Sequence, residues 1–164
     1  MASYRHLART CVMQTIFETE FHGGNPRDVL ERTLQEFAPK LTETKFAYDT
    51  LKGVLANQKK LLKMIGKYAP QWPVDKIAAV DRAVLEIGVY EIVFSKEIPP
   101  VVAINEAVEI AKHFGDDNSP KFINGVLSHV MKDYNKKKKS AKIKGKISLN
   151  CPKKSVSSSL IRRF

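Results

Sequence analysis

The chain has 164 residues, which is enough for one domain around a single core or for two small lobes that share one. No apolar run approaches the roughly 20 residues of a membrane span, and the first 21 residues lack the apolar stretch of a secretory signal. Cys11 and Cys151 are too few for a disulfide framework and lack metal-ligand spacing, so a cytoplasmic location is the simplest interpretation.

The net charge of +11 is concentrated at the carboxyl-terminal end. Residues 136–164 contain nine Lys, two Arg and no acidic residue, whereas residues 1–135 contain 17 basic and 17 acidic side chains. We therefore predict a neutral domain over residues 1–135 and a lysine-rich tail over residues 136–164. The tail has little apolar content and no helical stripe, which is typical of a disordered segment that attracts phosphates without reading their sequence.

In chain order, the spacing of apolar residues predicts three helices in the first half. The first is expected over residues 3–21. The second runs from Pro26, a residue suited to a first helical turn, to Phe37. The third is expected to begin after a capping Thr42 and to extend to Tyr68.

The second half of the chain is also predicted to be helical, which makes the fold all-α with about seven helices. The segment from Val74 to Phe94 is apolar nearly all round and belongs at the centre of a bundle, where Gly88 allows a crossing helix to approach closely. The next helix starts at the Ile98-Pro99-Pro100 segment and ends at Gly115 as a left-handed stop. A last helix is expected over residues 120–134.

The first helix carries one candidate site for a nucleic acid. Arg5 and Arg9 lie one turn apart on one face, so their guanidinium groups can follow a phosphate backbone, with His6 beside them. Paired arginines on a helix are also common as solvated charges, and that alternative stays open.

The start of the last helix carries the stronger candidate site. It offers an anion free backbone N–H groups, the Ser119 hydroxyl and the Lys121 ammonium, and specific hydrogen bonds are also expected from Asn118. A helical wheel places Phe122 about 110° from the centre of the apolar stripe, where it is available to stack on a base. The competing interpretation is that Phe122 packs on its own loop. The face of the first helix that carries Arg5 and Arg9 and the start of the last helix are expected to form one continuous binding surface for single-stranded RNA.

Two further residues are weaker candidates for RNA contact. Tyr68 ends the third helix beside Lys67, with ordinary packing as the alternative. Lys112 lies in the last turn of its helix, where it equally suits the negative end of the helix dipole. The histidines are scattered and no glycine-rich phosphate loop is present in the sequence, so no enzyme constellation is predicted, and neither a cofactor nor a metal is expected.

Several stretches of the chain resemble the NusB family of bacterial transcription antitermination factors. The resemblance covers about residues 3–134 and leaves the basic tail outside. Its blocks are RHLAR at residues 5–9, VDRAVL at 80–85, VAINEAVE at 102–109 and NGVL at 124–127. The chain departs from many members by having His6 and Leu7 where they carry further arginines.

The resemblance implies a helical bundle of two small sublobes without catalytic activity. It further implies binding to the boxA element of nascent ribosomal RNA leaders, together with NusE, the small-subunit ribosomal protein. That pair, with other Nus factors, helps RNA polymerase read through terminators. Phe17 and Asp81 are the residues expected to contact the protein partner, with core packing and solvation as their alternatives. Members that self-associate through the RNA face leave a homodimer open.

Two other functions compete with this one. A similar bundle precedes the catalytic domain of some RNA cytosine methyltransferases, so an accessory domain of an RNA-modifying system is one alternative. That function needs a methyl-donor-binding α/β domain, and only the lysine-rich tail follows Tyr134. The other alternative is a general basic RNA-binding protein that acts through the tail.

Overall fold

The computed structural model describes residues 4–149, and the side chains of residues 4–141. Within that range every regular element is helical, which confirms the all-α prediction. Six α-helices and one short 3₁₀ helix are present there, and the predicted count of about seven helices is not confirmed. The elements are α1 (Tyr4–His22), α2 (Pro26–Phe37), α3 (Lys45–Tyr68), a 3₁₀ helix (Val74–Lys76), α4 (Ala79–Val93), α5 (Pro100–Phe114) and α6 (Ser119–Leu149).

The start of α2 agrees with the prediction from local chemistry, whereas the start of α3 does not. Asn25 caps α2, because its Oδ1 accepts the Arg27 N–H at 2.9 Å, and Pro26 opens the helix as predicted. The prediction of Thr42 as the cap of α3 is wrong by two residues. That helix begins at Lys45, and Thr44 before it makes no side-chain capping bond.

Helix α4 lies at the centre of the bundle, where it packs against α1, α3 and α5. Gly88 on α4 faces α6, and a Cβ atom added to it would lie 2.7 Å from Cδ1 of Leu127. This confirms that Gly88 permits a close helix crossing. Because α4 carries Asp81 at one end and Glu91 at the other, it also contributes a buried carboxylate to each candidate site.

Helix α6 continues to Leu149, well beyond the predicted end near Tyr134. The predicted disorder of the tail is therefore not confirmed for residues 136–149, and residues 150–164 lie outside the described range. Lysine and alanine favour helix, and extending an existing helix adds one hydrogen bond for each residue that it fixes. The chain divides into two compact units, Met1–Tyr134 and Asn135–Phe164. The division into two sublobes stays a prediction.

None of the described helices combines the length and the apolar character needed to cross a membrane. Within residues 4–149, no group of three or more His, Cys, Asp or Glu side chains is arranged to hold a metal ion.

Candidate nucleic-acid interface

Arg9 on α1 is a buried structural residue. Its side chain is 3% exposed, and its Nε donates to Oε1 of Glu91 at 2.8 Å. A second guanidinium nitrogen donates to Oε2 of Glu106 at 3.5 Å, and the group lies 5.1 Å from the centre of the Phe46 ring. The predicted phosphate contact by Arg9 is therefore corrected, because its guanidinium is enclosed and already paired.

The carboxylate that receives Arg9 is itself almost completely enclosed. Glu91 on α4 is 1% exposed, and its Oε2 has no hydrogen-bond partner among the described residues. Burial raises the pKa of Glu91, while the charge and hydrogen bond of Arg9 oppose that rise. The sequence could not reveal this pair, because Arg9 and Glu91 are 82 residues apart.

Arg5 remains available for RNA at the same end of the bundle. It is exposed, and its guanidinium lies 5.2 Å from the centre of the Phe46 ring. Its neighbour His6 is half-buried, with Nδ1 2.8 Å from Oε2 of Glu106. Of the two arginines on the predicted face, Arg9 is therefore buried and structural, whereas Arg5 is an exposed cation that contacts an aromatic ring.

The start of α6 is capped by the chain itself. Oδ1 of Asp116 accepts the N–H groups of Asn118 at 2.8 Å and of Ser119 at 3.0 Å. Ser119 is 2% exposed, and its hydroxyl donates to Oδ2 of Asp81 at 2.8 Å. The expectation that these N–H groups and this hydroxyl serve an anion is corrected, since intramolecular partners occupy them.

Asp81 is likewise not on the surface for a protein partner, which corrects that prediction. It is 6% exposed and fixes Ser119, so it ties the first turn of α4 to the first residue of α6. Burial raises the pKa of Asp81, against the effect of the Ser119 hydrogen bond. Gly115 has φ −91°, so it is not the left-handed stop predicted. It is needed because a Cβ there would lie 2.5 Å from the Ser119 side chain.

A cavity of about 730 Å³ opens beside the start of α6. Its lining combines aromatic rings with exposed cations, and Trp72 is the most exposed ring at 55%. Neither Trp72, which lies between Pro70 and Pro73, nor Lys76 was among the candidate residues named from the sequence. Six lining residues bear on function: Tyr68, Trp72, Lys76, Asn118, Lys121 and Phe122.

Phe122 is only partly available at this cavity. It is half-buried against the core, and its ring centre lies 6.5 Å from that of Trp72 at an interplanar angle of 69°. Lys121 and Asn118 are exposed beside it. The Tyr68 hydroxyl donates to Oδ2 of Asp133 at 2.9 Å, so this hydroxyl is already paired.

Two remaining predicted residues lie elsewhere on the surface. Lys112 is exposed on α5, with Nζ 2.6 Å from Oε1 of Glu109. Phe17 on α1 is 37% exposed, and its ring centre lies 4.9 Å from that of Phe21, which is 60% exposed. Phe17 and Phe21 form an outward apolar pair, of which sequence analysis found one member.

The two candidate RNA regions lie at opposite ends of α3, and a continuous binding surface between them stays a prediction. Phe46, which supports Arg5, lies in the first turn of α3, whereas Tyr68 at the cavity is the last residue of that helix. A rise of 1.5 Å per residue places these two positions about 33 Å apart. Along α4, Glu91 and Asp81 are separated by about 15 Å on the same basis. A strand that touches both regions must therefore cross the length of the bundle.

Fold and site together define a small all-helical protein with a candidate nucleic-acid interface. Residues 6–132 match the model of the NusB family. The chain belongs to this family. It is 42% identical over 131 residues to the transcription antitermination protein NusB of Bacillus pumilus, a match that covers 79% of this chain and 95% of the relative. NusB of Dehalococcoides mccartyi strain CBDB1 is 39% identical over 132 residues, with coverage of 80% and 92%.

Solved structures give the same result. NusB of T. maritima aligns with a TM-score of 0.72 at 33% identity, over 82% of this chain and 94% of that one. A chain from a crystal structure of the antitermination factors NusB and NusE in complex with double-stranded RNA aligns with a TM-score of 0.72 at 25% identity. That alignment covers 82% of this chain and 100% of the other.

Proposed function

We propose that this protein is a transcription antitermination factor that binds the boxA element of nascent ribosomal RNA leaders. In this proposal it binds RNA together with NusE and, within a complex that contains other Nus factors, helps RNA polymerase pass terminators. The proposal is carried by the match, over 82% of this chain, to a chain solved with NusE and double-stranded RNA, together with an aromatic, lysine-bearing cavity in this chain.

Single-stranded RNA is read through unstacked bases on aromatic rings and through base-edge hydrogen bonds, while cations hold its phosphates. The cavity supplies the rings, and Asn118 beside it has an exposed amide for a base edge. Lys76 and Lys121 are exposed cations on its lining. Arg5 and His6 would hold the backbone at the other end of the bundle, and Lys112 would add a further cation.

The outward pair of Phe17 and Phe21 is the surface that we propose for NusE. Exposed aromatic side chains are enriched at protein interfaces, because they bury a large apolar area at a small cost in side-chain entropy. Both rings lie on α1, the helix that also carries Arg5. A partner bound there would touch the same helix as the RNA and could stabilise the joint complex.

The first test titrates boxA RNA and a scrambled RNA of equal length, each with and without NusE. We expect tighter binding to boxA, and a further gain when NusE is present, measured by fluorescence anisotropy at fixed salt. Phe17→Ser should remove the gain from NusE while leaving binding to RNA alone unchanged. Equal affinity for both RNAs under all four conditions would reject selective recognition.

A general basic RNA-binding role through the tail is the second candidate, and one observation favours it. Helix α6 continues through residues 136–141 with every side chain exposed, and four consecutive lysines begin this stretch. Such a row of cations attracts phosphates whatever the base sequence.

Deleting residues 136–164 separates the two roles, because it leaves the compact unit Met1–Tyr134 in place. We expect preference for boxA to survive, while overall affinity falls and its dependence on salt becomes shallower, by about 0.7 in the log–log slope for each lost phosphate contact to single-stranded RNA. Deletion of residues 150–164 alone, which removes two Lys and two Arg, should give an intermediate slope. Loss of boxA preference when residues 136–164 are deleted would show that the tail, and not the helical domain, recognises boxA.

A further inference from the structure

We infer that Trp72 provides the stacking surface for one unstacked RNA base, which enters the cavity beside α6 with its phosphate left at the rim. This inference rests on the proposed function and deepens it, because it assigns the base-binding role to a residue that was not among the candidates named from the sequence. It also replaces Phe122 as the main stacking ring.

Exposure distinguishes the two rings. Trp72 is 55% exposed in the free protein, whereas Phe122 is half-buried and packs against the core. A base gains stacking energy from the ring area that it covers, so the ring with the larger free face is the better platform. An indole also offers a wider face than a phenyl ring.

The geometry of the rings excludes a parallel slot. Their planes meet at 69°, with centres 6.5 Å apart, so they form a corner. A planar base can lie flat on only one of two rings arranged in this way, and it meets the other with its edge. With Trp72 as the platform, Phe122 becomes the side wall that limits how far the base can slide.

The backbone holds Trp72 in place before RNA arrives. Its N–H donates to the carbonyl of Ala69 at 3.0 Å, and it lies in a turn between Pro70 and Pro73. Proline fixes its own φ and restricts the residue before it, so the turn has few alternative conformations. Little entropy is therefore lost when a base stacks on this ring.

The charges of the lining set the direction in which the nucleotide enters. Lys76 and Lys121 are exposed and suit a phosphate at the rim. Asp81 lines the buried part, and its Oδ1 has no hydrogen-bond partner among the described residues. A buried carboxylate repels a phosphate, so a phosphate is disfavoured in this part of the cavity. The base therefore points inward.

The chain contains a single tryptophan, so its intrinsic fluorescence reports on this site alone. We expect boxA RNA to quench the emission of Trp72 with the same midpoint as that from anisotropy of labelled RNA. Trp72→Ala should weaken binding by about 5- to 150-fold, the range that stacking of one base represents. Trp72→Phe keeps an aromatic ring and should retain a substantial part of the affinity. Such retention would also show that a substitution at this position leaves the fold intact.

The matched control is Phe37→Ala. Phe37 is 57% exposed, lies at the end of α2 and does not line the cavity, so its removal should leave RNA affinity unchanged. Phe122→Leu should weaken binding less than Trp72→Ala.

The outcomes separate this inference from the proposed function. Binding to boxA with unchanged tryptophan emission, and with Trp72→Ala within twofold of the native protein, would overturn the inference and leave the proposed function standing. A larger loss from Phe122→Leu than from Trp72→Ala would also overturn it. No binding to boxA by anisotropy, with or without NusE, would reject the proposed function and this inference with it.

Discussion

Replacing Arg9 with alanine is expected to lower the free energy of unfolding by about 3–5 kcal/mol, the cost of breaking a buried ion pair from one side. The guanidinium of Arg9 is 3% exposed and holds the carboxylate of Glu91, which is 1% exposed. Without Arg9 that carboxylate is left buried without its cation, and a cavity remains beside Phe46. Urea unfolding followed by circular dichroism at pH 7 measures the change.

Two further variants distinguish a structural role of Arg9 from a contact with RNA. Arg5→Ala removes the exposed cation over the same Phe46 ring and should cost less than about 1 kcal/mol of stability. It should reduce the salt dependence of RNA binding by about one phosphate contact. The double variant Arg9→Met with Glu91→Leu removes both charges and should recover most of the lost stability. If Arg9→Ala unfolds within 1 kcal/mol of the native protein, the ion pair is not a main support of the bundle.

The stability of the protein is expected to fall as pH rises from about 4.5 to 7, and Glu86 on α4 is a main cause. Glu86 is 2% exposed, and burial raises its pKa from 4.5 to about 7. The hydrogen bond from Gln58 and the charge of Arg82 oppose the rise, while the charge of Glu20 adds to it.

The sign follows from which state binds the proton. Between pH 4.5 and 7 the folded protein keeps Glu86 protonated while the unfolded chain releases the proton, so increasing pH favours unfolding. At about 1.4 kcal/mol per pKa unit, the contribution of Glu86 is about 3 kcal/mol, complete near pH 8.

Glu86→Gln tests this effect, because glutamine keeps the shape and an acceptor for Gln58 while removing the titration. We expect the variant to gain stability relative to the native protein as pH rises from 4.5 to 8, measured by urea unfolding at each pH. Glu109→Gln is the control, since Glu109 is exposed beside Lys112, which lowers its pKa, and does not titrate in this range. A constant difference between Glu86→Gln and native protein across that range contradicts the assignment.

Local patterns predicted the helices well, because helix formation depends on spacing, caps and prolines within a few residues. Pro26 and Pro100 open their helices as expected, and the apolar segment around Gly88 forms the central helix. The errors at Thr42 and beyond Tyr134 are errors of boundary. At Thr42 the helix begins two residues later than predicted, and beyond Tyr134 exposed residues that favour helix extend α6.

The composition of the candidate site was predicted less well than the fold. Lys121, Asn118 and Arg5 are exposed where sequence analysis placed RNA, and their contacts with RNA stay a prediction. A helical wheel gives the direction of a side chain but not what faces it. Arg9 and Ser119 point towards carboxylates that come from distant parts of the chain.

The sequence by itself determined the all-α class, the central helix and the family, since each depends on residue types at short or fixed spacing. Only the tertiary structure decided which polar groups remain free for a ligand. Glu91 forms an ion pair with Arg9, and Asp81 accepts a hydrogen bond from Ser119. Both interactions form because burying a charge or a hydroxyl without a partner costs several kcal/mol. Packing likewise brought Trp72 beside Phe122, 50 residues away, and formed a cavity that the sequence did not predict.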